Sequence, residues 1–386
     1  MNAYIIGDGS KMKKIIDLGN LPLVNNLCDT KGEALNAKRF PLIINEYENK
    51  LMKLNAEINS DEMFSTYLYR SSVNAPYVKH CEKMWDDIVK YNPTNIIDIG
   101  GNDGALLDAF QRKSTKKLNL NNVDASKSFK IDNEQKGINY YNSYWGELKL
   151  PFRADIITST NVFQHNPNYD IFLKGISENL KGRWILEFPY FLKTVETDQF
   201  DQIYHEHVYY WLVYPLYNIF KKYGLKIIDI SEQDIHGGSL RIVSSNLEAD
   251  NENLNIINQY CQKEINFNFE SWENKIKLKI NRDKDFISTL NGNIGLFGAA
   301  AKGCVYLNCI NMNDRFKLII DDTKEKQNKF SPGTGLEIMD RSIINKEKLD
   351  YIIILAHNFK EHIINSLKSY GFKGKFITML PDIQII

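Results

Sequence analysis

The order of apolar and polar positions divides the chain into three blocks. Residues 1 to about 80 read as short strands and loops, with turn signals at Gly7-Asp8-Gly9 and Gly19-Asn20. From about 81 to 245, helical and strand patterns alternate. Cys81 to Tyr91 has helical spacing. Ile96-Ile97-Asp98-Ile99 is a short apolar run that ends in Gly100-Gly101, and a helix starts over Leu106 to Phe110. Leu120 to Val123 reads as a second strand closed by Asp124, followed by strands at Ala154 to Thr158, Trp184 to Glu187 and Leu240 to Ser244. Such alternation predicts an α/β domain built on a parallel, doubly wound sheet. A helical stretch from about Asn251 to Leu290 leads into the third block. There Ile294 to Gly298, Leu318 to Asp322 and Tyr351 to Ala356 predict a second α/β sheet. The expected domains are therefore 1–80, 81–245 and 246–386.

Composition narrows the function classes. The chain has 386 residues, enough for two or three domains. With 43% hydrophobic and 25% charged residues it has an ordinary globular balance and is not expected to be disordered. Its 48 basic and 48 acidic side chains leave no surplus to neutralise phosphates, which argues against a general nucleic-acid binder. The five cysteines, Cys28, Cys81, Cys261, Cys304 and Cys309, are scattered and lack zinc spacing, as unpaired thiols in a reducing compartment would be. The start lacks a basic-then-apolar leader, and no run reaches the roughly eighteen apolar residues of a membrane span. A cytoplasmic protein without membrane contact is expected.

The strongest local signal is Asp98-Ile-Gly100-Gly101-Asn102-Asp103-Gly104, a strand end, a glycine turn and a helix start. The glycines allow a sharp turn and close approach of a ligand to the main chain. The loop does not have the GxGxxG pattern that sets a pyrophosphate on a helix N-terminus, and Asp98 and Asp103 would repel one. Flanking carboxylates suit a ligand with local positive charge, such as the sulfonium and ammonium of S-adenosylmethionine. Asp124, closing the next strand, is placed to accept hydrogen bonds from ribose hydroxyls. A plain tight turn with solvated acids is the bland alternative.

Tyr204-His205-Glu206-His207 carries acid–base chemistry, because a general base needs a pKa near the working pH. In an extended segment His205 and His207 share one face and Tyr204 and Glu206 the other; in a turn all four can converge. A metal site is disfavoured, since the spacing is not HExxH and a third ligand is not evident. An idle surface turn is the default for an isolated HEH. His236-Gly-Gly-Ser-Leu-Arg241 reads as a turn feeding a strand, with Arg241 available to a phosphate. Gly298-Ala-Ala-Ala-Lys302-Gly303 opens a helix whose N–H groups, with Lys302, suit an anion. Tyr67 and Tyr69, alternate residues on one strand face, are candidates to close over a ligand or to pack in the core.

IIDIGGNDGALLDAF resembles the first motif of class I S-adenosylmethionine-dependent methyltransferases, above all the sugar C-methyltransferases that act on nucleotide-linked keto-deoxysugars. Further matches run along nearly the whole chain: LGNLPLVNNL, TYLYRSS, NVFQHNP, EFPYFLKT, FDQIYHEHVYYW, HGGSLR, GAAAKG, KFSPGTGLEI and LAHNF. The resemblance implies a Rossmann-like methyltransferase domain, a small N-terminal capping lobe and a C-terminal α/β domain that binds the nucleotide sugar. It implies that Asp98, Gly100, Gly101, Asn102, Asp103, Asp124 and Asn161 hold the cofactor and that His207 is the base. Tyr204, Glu206 and His165 assist it, and Tyr67, Tyr69, Arg241 and Lys302 contact the substrate. Members of that family usually carry zinc on N-terminal cysteines. Here those places read YIIGDGS and NEYENK, so no zinc is expected. An O-methyltransferase on a similar metabolite and a non-catalytic binding homologue remain as alternatives, and the chain is expected to be a monomer or homodimer.

Overall fold

In the computed structural model, which describes residues 4–5, 11–56, 58 and 70–386, three sheets share one continuous apolar core. The first is antiparallel and runs β1 (Tyr4–Ile5), β2 (Lys11–Pro22), β3 (Arg39–Glu46), β4 (Met52–Leu54), with a short helix α1 (Lys31–Leu35) between β2 and β3. The turn signals fare differently here. Gly7-Asp8-Gly9 lies outside the described residues, as do Tyr67 and Tyr69. Gly19 sits inside β2 with φ of 80°, where the register to β3 slips between Asp17 and Asn20. The Gly-Asn pair is therefore a bulge in a long strand, not a turn.

Helix α2 (Ala75–Ile88) starts six residues before the expected Cys81, because Asn74 caps it and Pro76 fits its first turn. The second sheet then follows: β5 (Asn95–Ile99), α3 (Ala105–Lys113), β6 (Asn119–Asp124), α4 (Lys130–Gln135), β7 (Asn139–Asn142), β8 (Ala154–Thr160), α5 (Tyr169–Asn179) and β9 (Leu180–Pro189). After α6 (Phe191–Glu196) comes β10 (Tyr209–Tyr210), which pairs with β4 and completes the N-terminal sheet. Helix α7 (Val213–Lys221), β11 (Lys226–Gln233) and β12 (Ser239–Ser245) finish this domain. The strand order is β11-β12-β9-β8-β5-β6-β7, parallel except for β12.

The long helical stretch is two helices, α8 (Leu254–Asn266) and α9 (Trp272–Thr289). The Glu264 carboxylate of α8 accepts from the N–H groups of Val213 and Tyr214, capping α7, and from the Tyr190 hydroxyl. Burial pushes its carboxyl up to about 7. The third sheet has order β15-β14-β13-β16-β17-β18: β13 (Ile294–Phe297), β14 (Phe316–Ile320), β15 (Ile338–Met339), β16 (Tyr351–Ile354), β17 (Lys375–Thr378) and β18 (Gln384–Ile385). Helices α10 (Ala301–Ile310) and α11 (Lys360–Ser369) complete it. Among the described residues, no helix is long and apolar enough to cross a membrane.

Candidate active site

A cavity of about 950 Å³ opens beyond the carboxyl ends of β5, β6 and β8, where open parallel sheets take their ligands. Gly100 and Gly101 form its floor. Gly100 has φ of +63°, and a Cβ there would stand 2.5 Å from Val162 Cγ2. A Cβ on Gly101 would meet the Asn122 and Asp98 side chains at 2.7 Å. Buried amides hold the loop: Asn122 Oδ1 accepts from the Gly101 N–H at 3.0 Å, and Asn122 and Asn133 both donate to the Asn102 carbonyl. At the end of β6, Asp124 lines the cavity and accepts from the N–H groups of Asn102 and Ser126 at 2.9 and 2.8 Å. Burial raises its carboxyl. Asn161, at φ of 55°, also lines the cavity, and its Oδ1 is buried with no partner among the described residues.

Two acids of the loop do not reach the cavity. Asp98 is buried beneath Gly101 and accepts from the Thr158 hydroxyl at 2.7 Å; burial, then Asp124, pushes it up to about 7. Asp103 accepts from the Ser72 N–H and hydroxyl, while Asn102 Oδ1 accepts from the Ser71 N–H at 3.1 Å. These groups shape the loop and clamp residues 71–72 onto it, which corrects the expectation that both acids touch a cofactor.

The HEH segment is a turn, closed by the His207 N–H on the Tyr204 carbonyl at 3.0 Å. It brings Tyr204, Glu206 and His207 to the cavity together with His165 and Gln202. His205 is turned away, its Nε2 3.2 Å from the Phe40 carbonyl. The His207 ring lies 4.0 Å from that of Tyr204 and 4.9 Å from that of His165. Its Nδ1 is 3.0 Å from the Gln202 carbonyl. A carbonyl only accepts, so this contact assigns the ring proton to Nδ1 and leaves a lone pair on Nε2. Burial, then His165, holds His207 well below its ordinary value, so the ring is neutral at pH 7. His165 follows the same rule: Nδ1 is 2.7 Å from the Glu206 carbonyl, and burial lowers the ring to about 4. Burial has the opposite effect on the Glu206 carboxyl, raising it to about 7.

Arg241 is the clearest correction. It sits opposite Glu187 in the β12–β9 register and is buried. Its Nε donates to Glu187 at 2.5 Å and a terminal nitrogen binds Asp87. Glu187 also meets His80 Nε2 at 2.7 Å. Burial would raise Glu187, but His80 and Arg241 outweigh it and hold the carboxyl below its usual range. Arg241 is thus committed to a buried ion network and is absent from the cavity wall. The residue of HGGSLR that does line it is His236, at φ of 54° ahead of two left-handed glycines. Its carbonyl accepts from Lys302 Nζ at 2.7 Å and from Gln202 at 2.8 Å. Lys302 lines the cavity, and burial lowers its ammonium to about 8. Tyr77, Thr160, Asn25 and Gln202 also belong to the wall; Asn25 and Gln202 lie in the matched segments LGNLPLVNNL and FDQIYHEHVYYW without being singled out there, and no pattern in the sequence marks Tyr77 or Thr160. Among the described residues, no group of three or more His, Cys, Asp and Glu side chains is disposed to hold a metal ion.

A glycine turn after the first strand of the second sheet, an acid after its next strand, and this strand order with one antiparallel member define the class I methyltransferase fold. A family model described as "Methyltransferase domain" matches residues 65–230, and one described as "C-methyltransferase C-terminal domain" matches residues 234–381. The C-methyltransferase NovU of Streptomyces niveus is 24% identical over 397 residues, spanning 96% of this chain and 94% of that protein. The two models in succession account for most of the chain, and the likeness to a C-methyltransferase runs over nearly its whole length. Among solved structures, an S-adenosylmethionine-dependent methyltransferase from Clostridium acetobutylicum aligns with a TM-score of 0.37 at 13% identity, covering 44% of this chain and 91% of that one. Magnesium protoporphyrin IX methyltransferase from Synechocystis aligns with a TM-score of 0.38 at 12% identity, covering 50% and 90%. The floor of the cavity suits the family's cofactor: a cradle that a Cβ would fill, a carboxylate at Asp124, and the unpartnered Oδ1 of Asn161.

Proposed function

We propose that this enzyme methylates a carbon next to the carbonyl of a nucleotide-activated keto-deoxysugar, with His207 as the base. The observation that carries the reading is the Nδ1 contact of His207 with the Gln202 carbonyl, because it leaves Nε2 as a neutral proton acceptor inside the cavity. Gly100, Gly101, Asn102, Asp124 and Asn161 hold S-adenosylmethionine, which when bound supplies an electrophilic methyl group. His207 Nε2 takes the proton from the carbon α to the carbonyl, and the bonding pair moves onto the carbonyl oxygen as an enolate. Tyr204 and Glu206 orient the sugar. His165, neutral and packed on His207, keeps positive charge away from the base. Lys302 meets the diphosphate from the C-terminal domain. No zinc takes part.

The test is a panel of nucleoside-diphosphate keto-deoxysugars incubated with S-adenosylmethionine. Mass spectrometry reads S-adenosylhomocysteine, and carbon–proton correlation NMR locates the methyl. A methyl on carbon is the expected product. A methyl on oxygen, or no S-adenosylhomocysteine with any sugar, overturns the reading.

A further inference from the structure

The turn that carries His207 is tied to the N-terminal lobe inside the cavity by a side-chain hydrogen bond. Asn25, in the loop after β2, donates its amide to Oε1 of Glu206 at 2.6 Å. Both residues line the cavity, and Glu206 is only 6% exposed. The neighbouring ties act elsewhere: Phe40 holds the His205 ring, and His165 meets the backbone carbonyl of Glu206. Among the described residues, Asn25 alone bonds the Glu206 carboxyl, and it does so through one oxygen.

We propose that Asn25 is a positioning residue for the transfer reaction. It fixes the Glu206 carboxyl by Oε1, so that Oε2 is presented to a hydroxyl of the acceptor beside the carbon that His207 deprotonates. The inference rests on the roles of His207 and Glu206 given under Proposed function. It makes the N-terminal lobe part of the reaction chamber through a residue of the LPLVNNL segment.

The surroundings support it. Burial pushes Glu206 up to about 7, and the Asn25 hydrogen bond pulls the other way. The titratable groups around this turn are His165, His205, His207, Tyr204, Tyr210, His236 and Lys302; the last two bear on His207, whereas Glu206 itself responds to burial and to Asn25. Burial lowers His165, His205 and His207, so none of these is a cation at pH 7 to balance the carboxylate. Asn25 is then the contact that favours the ionised form, which accepts a hydroxyl proton most strongly.

The experiment titrates the full chain labelled with carbon-13 at the glutamate carboxyls, with Glu206 assigned by its absence in Glu206→Gln. The midpoint in the unaltered chain should lie near 7. Asn25→Ala should raise it by about one pH unit or more, the worth of a hydrogen bond to a charged group. Asn25→Asp should raise it further, because two facing carboxyls cannot both ionise. This near-isosteric change serves if the alanine variant fails to fold. An unshifted midpoint overturns the proposal. With a sugar that is turned over, Asn25→Ala should cost roughly tenfold in kcat/KM in the unaltered chain and less than about twofold in Glu206→Gln. Equal losses in both backgrounds would mean that Asn25 only packs the lobe. Failure to methylate any sugar refutes the proposed function, while the acceptor-free titration judges Asn25 separately.

Discussion

Arg241→Met separates a structural arginine from a phosphate-binding one. In the fold its side chain is 3% exposed and that of Glu187 2%. Removing the guanidinium leaves a buried carboxylate whose remaining partner among the described residues is His80, and breaking a buried pair in this way costs about 3–5 kcal/mol. A domain's total stability is about 5–15 kcal/mol, so the loss should be large in urea unfolding followed by tryptophan fluorescence, to which the buried Trp184 on β9 contributes. Changing Glu187→Gln in the same chain should recover part of it, because the uncompensated charge is then gone. Protein that remains folded should bind S-adenosylhomocysteine, and its acceptor KM should be near that of the unaltered enzyme. A variant as stable as the original with a KM raised tenfold or more would refute the assignment and restore Arg241 as a phosphate contact.

Two further outcomes follow from the cavity. Gly100→Ala forces a side chain into a left-handed conformation costing about 1–2 kcal/mol and drives a Cβ into Val162, so S-adenosylhomocysteine should bind at least about tenfold more weakly by calorimetry; unchanged affinity would show that the cofactor does not use this loop. Glu206→Gln should stabilise the protein at alkaline pH. The unfolded carboxyl ionises near 4.5 and the folded one near 7, so stability falls as pH rises between those values and stays lower above them. The amide should therefore be more stable than the carboxyl at pH 8, by at most about 3 kcal/mol, and equal at pH 4, as read from paired thermal melts.

What the sequence disclosed depended on whether the signal was local. The run of apolar residues before Gly100 predicted a buried strand, and Asp124 could be placed at the end of the next because strand and turn chemistry are nearest-neighbour effects. Gly19 misled, because a glycine that permits a turn also permits a bulge, and only pairing with β3 decides between them. Arg241 misled for a related reason: its partner Glu187 lies 54 residues away, and the antiparallel register that sets them opposite is not written in either segment. The HEH motif was visible as chemistry but not as geometry. The closing turn sends Glu206 and His207 to the cavity and His205 to Phe40, a choice made by backbone angles. Asn25 and His236 lie in segments that the sequence marks, LGNLPLVNNL and HGGSLR, but nothing local says that these two side chains are the ones delivered to the same wall.

The account stands on His207 as the base, and proton exchange tests this without methyl transfer. The unaltered enzyme, held with S-adenosylhomocysteine and a keto-deoxysugar nucleotide that it methylates, should exchange the proton α to the carbonyl for deuterium in deuterated water, read by NMR. His207→Ala should bind S-adenosylhomocysteine as before and lose the exchange. Exchange persisting at the original rate in that variant would contradict the assignment.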